Sequence, residues 1–112
     1  MNGKRIILEM GTGNDLHGGD YTKAAIRAVE DALHHSSLAF VRTLGVDKGR
    51  LRVDVTVAVQ RPDLVDCERI KTKLPVGRVT VRAVEGGLDL PDPEHDDLAV
   101  IASAAVEVRL EP

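Results

Sequence analysis

Two side chains suited to proton transfer, Asp15 and His17, stand in a glycine-rich polar stretch that runs from Gly11 to Asp20. Their i, i+2 spacing puts both side chains on the same side of an extended segment. There a carboxylate can orient the imidazole of a histidine, the side chain whose charge changes near neutral pH. The sequence therefore predicts Asp15 and His17 as candidate catalytic residues.

The same pair has two other interpretations. Asp15 and His17 can ligate a metal ion together, but a metal site needs at least a third protein ligand. The candidates for it are His34, His35, His95 and Glu9. The two side chains can also hydrogen-bond to loop backbone and shape a turn. All three interpretations stay open, with no cofactor favoured.

The glycines of this stretch lie between a predicted strand and a predicted helix. A loop of this kind points backbone N–H groups and the positive end of the helix dipole at a bound anion. The dinucleotide fingerprint Gly-x-Gly-x-x-Gly fails because position 16 is Leu16, and no Gly-Lys-Ser/Thr follows. Asp15 and Asp20 would also repel a phosphate. The predicted ligand-binding residues are Gly11, Gly13, Gly18, Gly19, Lys23 and Arg27.

A strand over residues 4–10 and a helix over 20–35 must position this stretch. The strand alternates, with Ile6, Leu8 and Met10 on one face and Arg5, Ile7 and Glu9 on the other. The helix begins at Asp20, a good N-cap, and residues 38–44 are predicted to add a further helical turn. Its apolar residues recur at three- and four-residue spacing: Ala25, Ala28, Val29, Ala32 and Leu33.

Further along the chain the hydrophobic pattern returns to strands. The residues from Arg50 to Gln60 alternate strictly, and Pro62 ends that strand. The later predicted elements are a short helix over 66–74, a strand over 78–85, an acidic surface loop over 88–97 and a last strand over about 98–110. The order is β-α-β-α-β-β, which predicts one α+β two-layer domain over residues 1–112.

The last strand carries no charge from Leu98 to Val106, so both of its faces are predicted to be buried, as in a central strand. Two helices shield only one side of a sheet. Residues predicted on the far face are partly apolar, namely Ile7, Thr56, Ala58 and Val84. A second copy of the chain is the economical cover, so we expect a homo-oligomer, with a trimer first among the alternatives.

Composition excludes several classes of protein. Fifteen Lys and Arg against eighteen Asp and Glu give a net charge of -3 with no basic block, so nucleic acid is not an expected partner. The N-terminal apolar run is too short for a signal peptide and no run reaches membrane-span length, so we expect a cytoplasmic protein. The one cysteine, Cys67, lacks metal or redox spacing and is interpreted as an apolar filler.

The spacing Gly11-x-Gly13-x-Asp15-x-His17-Gly18, after a strand and before an alanine-rich helix, resembles the signature of a small hypothetical-protein family of bacteria and plants. The resemblance extends over essentially the whole chain. It implies membership of a family that has no assigned activity.

A weaker resemblance is to the ring-opening amidohydrolases, the cyanuric acid hydrolase and barbiturase group. It rests on the segments Glu9–Gly13 and Asp20–Lys23. It implies that the chain is similar to one repeat of those enzymes, hence to the subunits of YjgF-like or chorismate-mutase-like trimers, with pockets where subunits meet. The Ser-Lys pairs of those hydrolases have no match. The serines here are Ser36 and Ser37 at a predicted helix end and Ser103 within a predicted strand.

Two functional hypotheses follow. In the first, the chain binds or transforms a small polar, nitrogen-containing metabolite at a subunit interface, with Asp15 and His17 moving a proton and Lys23 or Arg27 contacting anionic groups. In the second, the chain is a structural or regulatory oligomer without catalysis, and the glycine loop 11–20 is only a tight connection. The sequence alone does not decide whether the protein is an enzyme.

Overall fold

The computed structural model describes residues 3–34, 48–74 and 77–111. This part of the chain forms five strands and two helices, with short 3-10 turns at Lys48–Arg50, Pro62–Leu64 and Pro93–His95. The elements are β1 (Lys4–Asp15), α1 (Tyr21–His34), β2 (Leu51–Val59), α2 (Cys67–Lys71), β3 (Arg78–Glu85), β4 (Leu88–Asp92) and β5 (Asp97–Leu110). The coarse prediction of a mixed domain, one sheet with helices, is confirmed.

The strands form one sheet in the order β1-β5-β2-β3, with β4 pairing the first half of β5. β5 runs antiparallel to both β1 and β2, whereas β2 and β3 are parallel neighbours. A parallel pair needs a crossover connection, and α2 lies in it. The last strand, which is uncharged from Leu98 to Val106, is therefore central, as its sequence predicts.

α1 covers one face of the sheet, and the core lies between them. The strict alternation of β2 buries Leu51, Val53, Val55, Val57 and Val59, each at most 2% exposed. The same face of β5 buries Val100, Ala102, Ala104, Val106 and Val108. Because most helix residues over these strands are alanines, α1 lies close to the sheet. Asp20 caps α1 as predicted, since its Oδ1 accepts the Lys23 N–H at 3.0 Å.

The facing of β1 differs from the prediction. Ile7 is buried beneath α1, whereas Leu8 and Met10 are 45% and 68% exposed on the far face. The pairing with β5 shifts by one residue between Arg5 and Ile7, at a β-bulge that re-aims the strand. Gly11 and Gly13 lie on the Ile7 face, where the backbone of α1 approaches both closely. The two glycines therefore allow α1 to cover this face.

Two other predictions are corrected. The predicted loop over 88–97 contains β4, so the order β-α-β-α-β-β lacks one strand. The far face of the uncharged run is not closed in the single chain, since Ile101 is 40% exposed. Thr56, Ala58 and Val84 do lie on that open face, as predicted. The predicted helical turn over 38–44 lies outside the described residues, as do His35, Ser36 and Ser37.

Candidate functional site

The stretch from Gly11 to Asp20 is half strand and half turn. Gly11 and Gly13 are ladder residues of β1, paired with Ala104 and Ala102 of β5. A Cβ at Gly13 would lie 2.3 Å from the Ala28 backbone nitrogen, and one at Gly11 would lie 2.4 Å from that of Ala32. The prediction of a loop over 11–20 is therefore wrong for residues 11–15. These two glycines let α1 pack directly against β1.

Asp15 ends β1 on the buried face, where its side chain is 5% exposed. Its Oδ2 accepts the backbone N–H of Asp20 at 3.0 Å. Its Oδ1 lies 3.6 Å from Lys23 Nζ and 3.7 Å from Arg27 Nη1. Two cations and a backbone donor thus neutralise a carboxylate that is otherwise costly to bury. Asp15 joins the end of β1 to the first turns of α1.

The turn proper consists of residues 16–19. Gly18 and Gly19 have φ values of 96° and 61°, in the left-handed region that favours glycine. The Gly19 N–H donates to the Leu98 carbonyl at 3.1 Å, which holds the turn against the first residues of β5. This geometry leaves the side chain of His17 86% exposed. The turn therefore presents His17 rather than burying it.

His17 is oriented by Asp97, the first residue of β5. The distance between His17 Nδ1 and Asp97 Oδ2 is 2.8 Å. The other carboxylate oxygen, Oδ1, accepts the N–H groups of Gly18 and Leu98, each at 2.8 Å. These backbone donors, with the imidazole, lower the pKa of Asp97 from its ordinary value to about 2. Asp97 is thus a fixed negative charge that holds the imidazole by one nitrogen.

His17 and Asp97 line an open cleft of about 460 Å³. Its apolar wall comes from the turn, from the β4 end and from the start of β5: Leu16, Leu90, Pro91, Pro93, Leu98 and Ala99. Asp92 and Glu94 add two further carboxylates. Asp92 is itself paired with His95, whose Nδ1 lies 2.9 Å from Asp92 Oδ2. The cleft combines an apolar wall, hydrogen-bond acceptors and an oriented imidazole.

The predicted site residues divide into two groups. Asp15, Lys23 and Arg27 come together under the start of α1, where Arg27 also donates to the Asn14 carbonyl at 2.7 Å. His17, Gly18 and Gly19 form the turn at the cleft. The structure does not pair His17 with Asp15, because β1 continues to Asp15 and the pleat aims that side chain beneath α1.

Sequence reasoning missed Asp97, which lies 80 residues from His17. The ladder of β1 and β5 pairs Asp15 with Val100. Continued by three residues, the same antiparallel register brings Gly18 opposite Asp97. The signal was therefore the strand pairing, which a local pattern does not contain.

Among residues 3–34, 48–74 and 77–111, no group of three or more His, Cys, Asp or Glu side chains is placed to hold a metal ion. The same ranges contain no helix with the length and hydrophobicity of a membrane span.

Comparison with known proteins gives the family. A family model described as "Conserved hypothetical protein (Lin0512_fam)" matches residues 5–108. The chain belongs to the Lin0512 family. A solved structure from Nostoc punctiforme, an FtsZ-like protein of unknown function, is 38% identical, with a TM-score of 0.84 over 100% of this chain and 99% of that one. A search of curated proteins found no match. The family match and the solved structure both cover β1, the His17 turn and Asp97.

Proposed function

We propose that this Lin0512 protein binds a small polar, nitrogen-containing metabolite in the cleft, and that His17 exchanges a proton or hydrogen bond with it. One observation carries the proposal. Asp97 accepts from Nδ1 of His17 at 2.8 Å. This fixes the proton of the neutral ring on Nδ1 and leaves Nε2 as the acceptor, with no protein partner among the described residues.

The cleft chemistry supports a ligand with N–H groups. Asp92, Glu94 and Asp97 supply carboxylate oxygens, which accept hydrogen bonds, and the residues between them are apolar. A flat ring with amide or urea N–H donors matches both features, since its faces suit the apolar wall and its edge suits the acceptors. The resemblance to ring-opening amidohydrolases points to the same class of compound.

The test is an NMR titration of the ¹⁵N-labelled protein with cyclic ureides and amides: hydantoin, allantoin, barbiturate, cyanuric acid and dihydrouracil. The proposal predicts that at least one shifts the amides of Gly18, Leu98 and Ala99 in a saturable way. His17→Gln should abolish these shifts while leaving the rest of the spectrum unchanged. Shifts that persist in His17→Gln, or a panel without saturable shifts at the cleft, would count against it.

A second function, a structural or regulatory homo-oligomer, is favoured by the open face of the sheet. Among the described residues, several large apolar side chains on that face are exposed: Leu8, Met10, Val84, Leu88, Leu90 and Ile101. Several large apolar side chains exposed on one face are typical of an interface. A second copy would also cover the cleft, because Leu90 belongs to both surfaces. A trimer remains our expected assembly, as the sequence resemblance implies.

Light scattering at micromolar concentration distinguishes the assemblies. A mass near three times 12.1 kDa is the expected result. Met10→Lys, on the open face, should lower the mass, whereas Lys71→Met on α2 is a control that should not. A monodisperse monomer would contradict the oligomer and leave the cleft proposal to be judged by the NMR titration alone.

A further inference from the structure

A second concave surface lies on the open face of the sheet, at the opposite end of β5 from the cleft. It encloses about 320 Å³. Its polar lining comes from alternate residues of three neighbouring strands: Arg52, Asp54, Thr56, Thr80, Arg82, Glu107 and Arg109. We name this surface the arginine groove. It lies about ten residues along β5 from Asp97, or roughly 30 Å, so it is a separate site.

The strand register brings these side chains together in rows. β2 is the middle strand, and Thr56 pairs with Arg82 of β3 while Arg52 pairs with Arg109 of β5. Asp54 pairs with Thr80 on one side and Glu107 on the other. Residues two apart on a strand share a face, so alternation alone places all seven on the open face. The chain as a whole has a net charge of -3, yet this groove holds three arginines and two carboxylates.

The two carboxylates already have partners. Asp54 accepts from Thr80 Oγ1 at 2.6 Å and from Arg52 Nε at 3.0 Å, and Arg109 Nε lies 3.8 Å away. Burial alone would raise the pKa of Asp54, but these hydrogen bonds and charges outweigh it and lower the pKa below its ordinary value. Glu107 is paired with Arg109 at 3.2 Å and with Arg5 at 3.4 Å.

Arg82 is different. Its Nε donates to Thr56 Oγ1 at 3.0 Å, which fixes the plane of the guanidinium. Within the described part of the chain its two terminal nitrogens have no carboxylate or carbonyl partner, although two carboxylates lie in the same groove. Thr56 Oγ1 accepts from Arg82, so its own O–H is left to donate outward. A guanidinium fork and a hydroxyl thus converge on a concave, positively charged surface.

We infer that the arginine groove binds a small metabolite through a phosphate or carboxylate group, held by the terminal nitrogens of Arg82 and the hydroxyl of Thr56. Because Nε is engaged by Thr56, one guanidinium edge remains, formed by the two terminal nitrogens, and it matches the two oxygens of either group. Asp54 also lines the groove, but Arg52 at 3.0 Å and Arg109 at 3.8 Å offset its negative charge. The inference is independent of the proposed function of the His17 cleft.

The experiment is an NMR titration with inorganic phosphate in one arm and succinate in the other, at constant ionic strength set with chloride. We expect the amides of Thr56, Thr80 and Arg82 to shift and saturate in at least one arm, with a Kd of about 1 mM or tighter. Arg82→Gln should weaken that binding by about tenfold or more, and Arg82→Lys by less, because lysine keeps the charge but not the fork. The dispersed spectrum shows directly that each variant is folded.

Arg78→Gln is the matched control, because Arg78 lies on the same face of β3 but is paired with Glu111 outside the groove. It should leave the affinity unchanged. Absence of saturable shifts in both arms, or equal binding by Arg82→Gln and wild type, would overturn the inference. Light scattering runs in parallel: if Arg82→Gln alone dissociates an oligomer that the anions also dissociate, Arg82 serves a second copy and the small-molecule site is wrong.

Discussion

Asp97 holds His17 by one ring nitrogen at 2.8 Å, although the two residues are 80 positions apart in the chain. The same carboxylate accepts the N–H of Gly18, the residue after His17. A single side chain from the start of β5 therefore fixes both the imidazole and the turn that carries it. The arrangement leaves the second ring nitrogen available at the cleft.

The lowered pKa of Asp97 predicts a pH dependence of stability. The pKa is about 2 in the folded chain and ~3.9 in an unfolded chain, so near pH 3 the unfolded state binds more protons. The stabilisation is complete above about pH 4 and is lost as the pH falls through about 2. The free energy of unfolding, measured by urea denaturation at each pH, should change less over this range for Asp97→Asn than for wild type.

Glu68→Gln, an exposed carboxylate on α2, is the control for removing one negative charge. The free energy of unfolding of Glu68→Gln should fall between about pH 4 and 2 as steeply as that of wild type. If the free energy of unfolding of Asp97→Asn fell with pH as steeply as that of wild type, Asp97 would not be the source of the pH dependence.

The close contact of β1 and α1 predicts that Gly13 tolerates no side chain. In Gly13→Ala the new Cβ would lie 2.3 Å from the Ala28 nitrogen and 2.5 Å from the Ala24 carbonyl oxygen, both backbone atoms. We expect a loss of about 2 kcal/mol or more in the free energy of unfolding, because the whole helix must move. Thr12→Ala, on the opposite face, should cost less than about 1 kcal/mol. Equal midpoints in chemical denaturation would show that the helix is not in contact.

Val55→Asp tests the facing of β2. Val55 is 1% exposed in the core, so a carboxylate there would lack a partner and cost several kcal/mol, out of a total of roughly 5–15. Arg52→Ala, on the open face, should be mild by comparison, because its pair with Asp54 is accessible to solvent. Thermal melts that ranked the two variants the other way would contradict the assignment of faces.

The hydroxyl of Tyr21 donates to Asp89 Oδ2 at 2.5 Å and ties α1 to β4. Oδ1 of Asp89 is buried and has no hydrogen-bond partner among the described residues. Tyr21→Phe should therefore cost about 1–3 kcal/mol, because it leaves both carboxylate oxygens without a donor. Tyr21→Phe/Asp89→Leu should recover much of that loss. If Tyr21→Phe alone were as stable as wild type in urea denaturation, this account would be contradicted.

The same bond predicts a loss of stability in alkali. Hydrogen bonding to Asp89, together with burial, raises the pKa of Tyr21 above its ordinary value. The stabilisation that this hydrogen bond gives is complete below about pH 10, the pKa of tyrosine in the unfolded chain. It is lost as the pH rises beyond that value. Tyr21→Phe should lack this loss in denaturation experiments above about pH 10.

Sequence patterns predicted the positions of the helices and strands better than their pairing and packing. The alternation of β2 and the three- and four-residue spacing in α1 are local, so both elements lie where expected. β4 was missed because Pro91 and five acidic residues in 88–97 are typical of loops, whereas pairing with β5 makes residues 88–92 a strand. That pairing is a tertiary effect that overrides local propensity.

The candidate site was predicted only in part, because tertiary contacts bring some of its residues together. Gly18 and Gly19 are needed at positive φ, and a local pattern can indicate that. Gly11 and Gly13 are needed because α1 approaches, which depends on the faces of β1 and hence on the bulge near Ile6. Asp97 was missed because only strand register brings it to His17.

Asp15 and His17, adjacent in sequence, should respond differently to isosteric change. Asp15 is 3% exposed and lies near Lys23 and Arg27, so Asp15→Asn should lower the melting temperature clearly. His17 is largely exposed, and an exposed pair contributes little, so His17→Gln should change the free energy of unfolding by less than about 1 kcal/mol.

The most direct measurement compares how the cleft ligand identified by NMR raises the melting temperature of wild type and of His17→Gln. The account predicts a concentration-dependent rise for wild type, no rise for His17→Gln, and nearly equal melting temperatures for the two proteins without ligand. A His17→Gln protein that melts as early as Gly13→Ala, yet keeps the full ligand-induced rise, would contradict it. His17 would then stabilise the turn and take no part in binding.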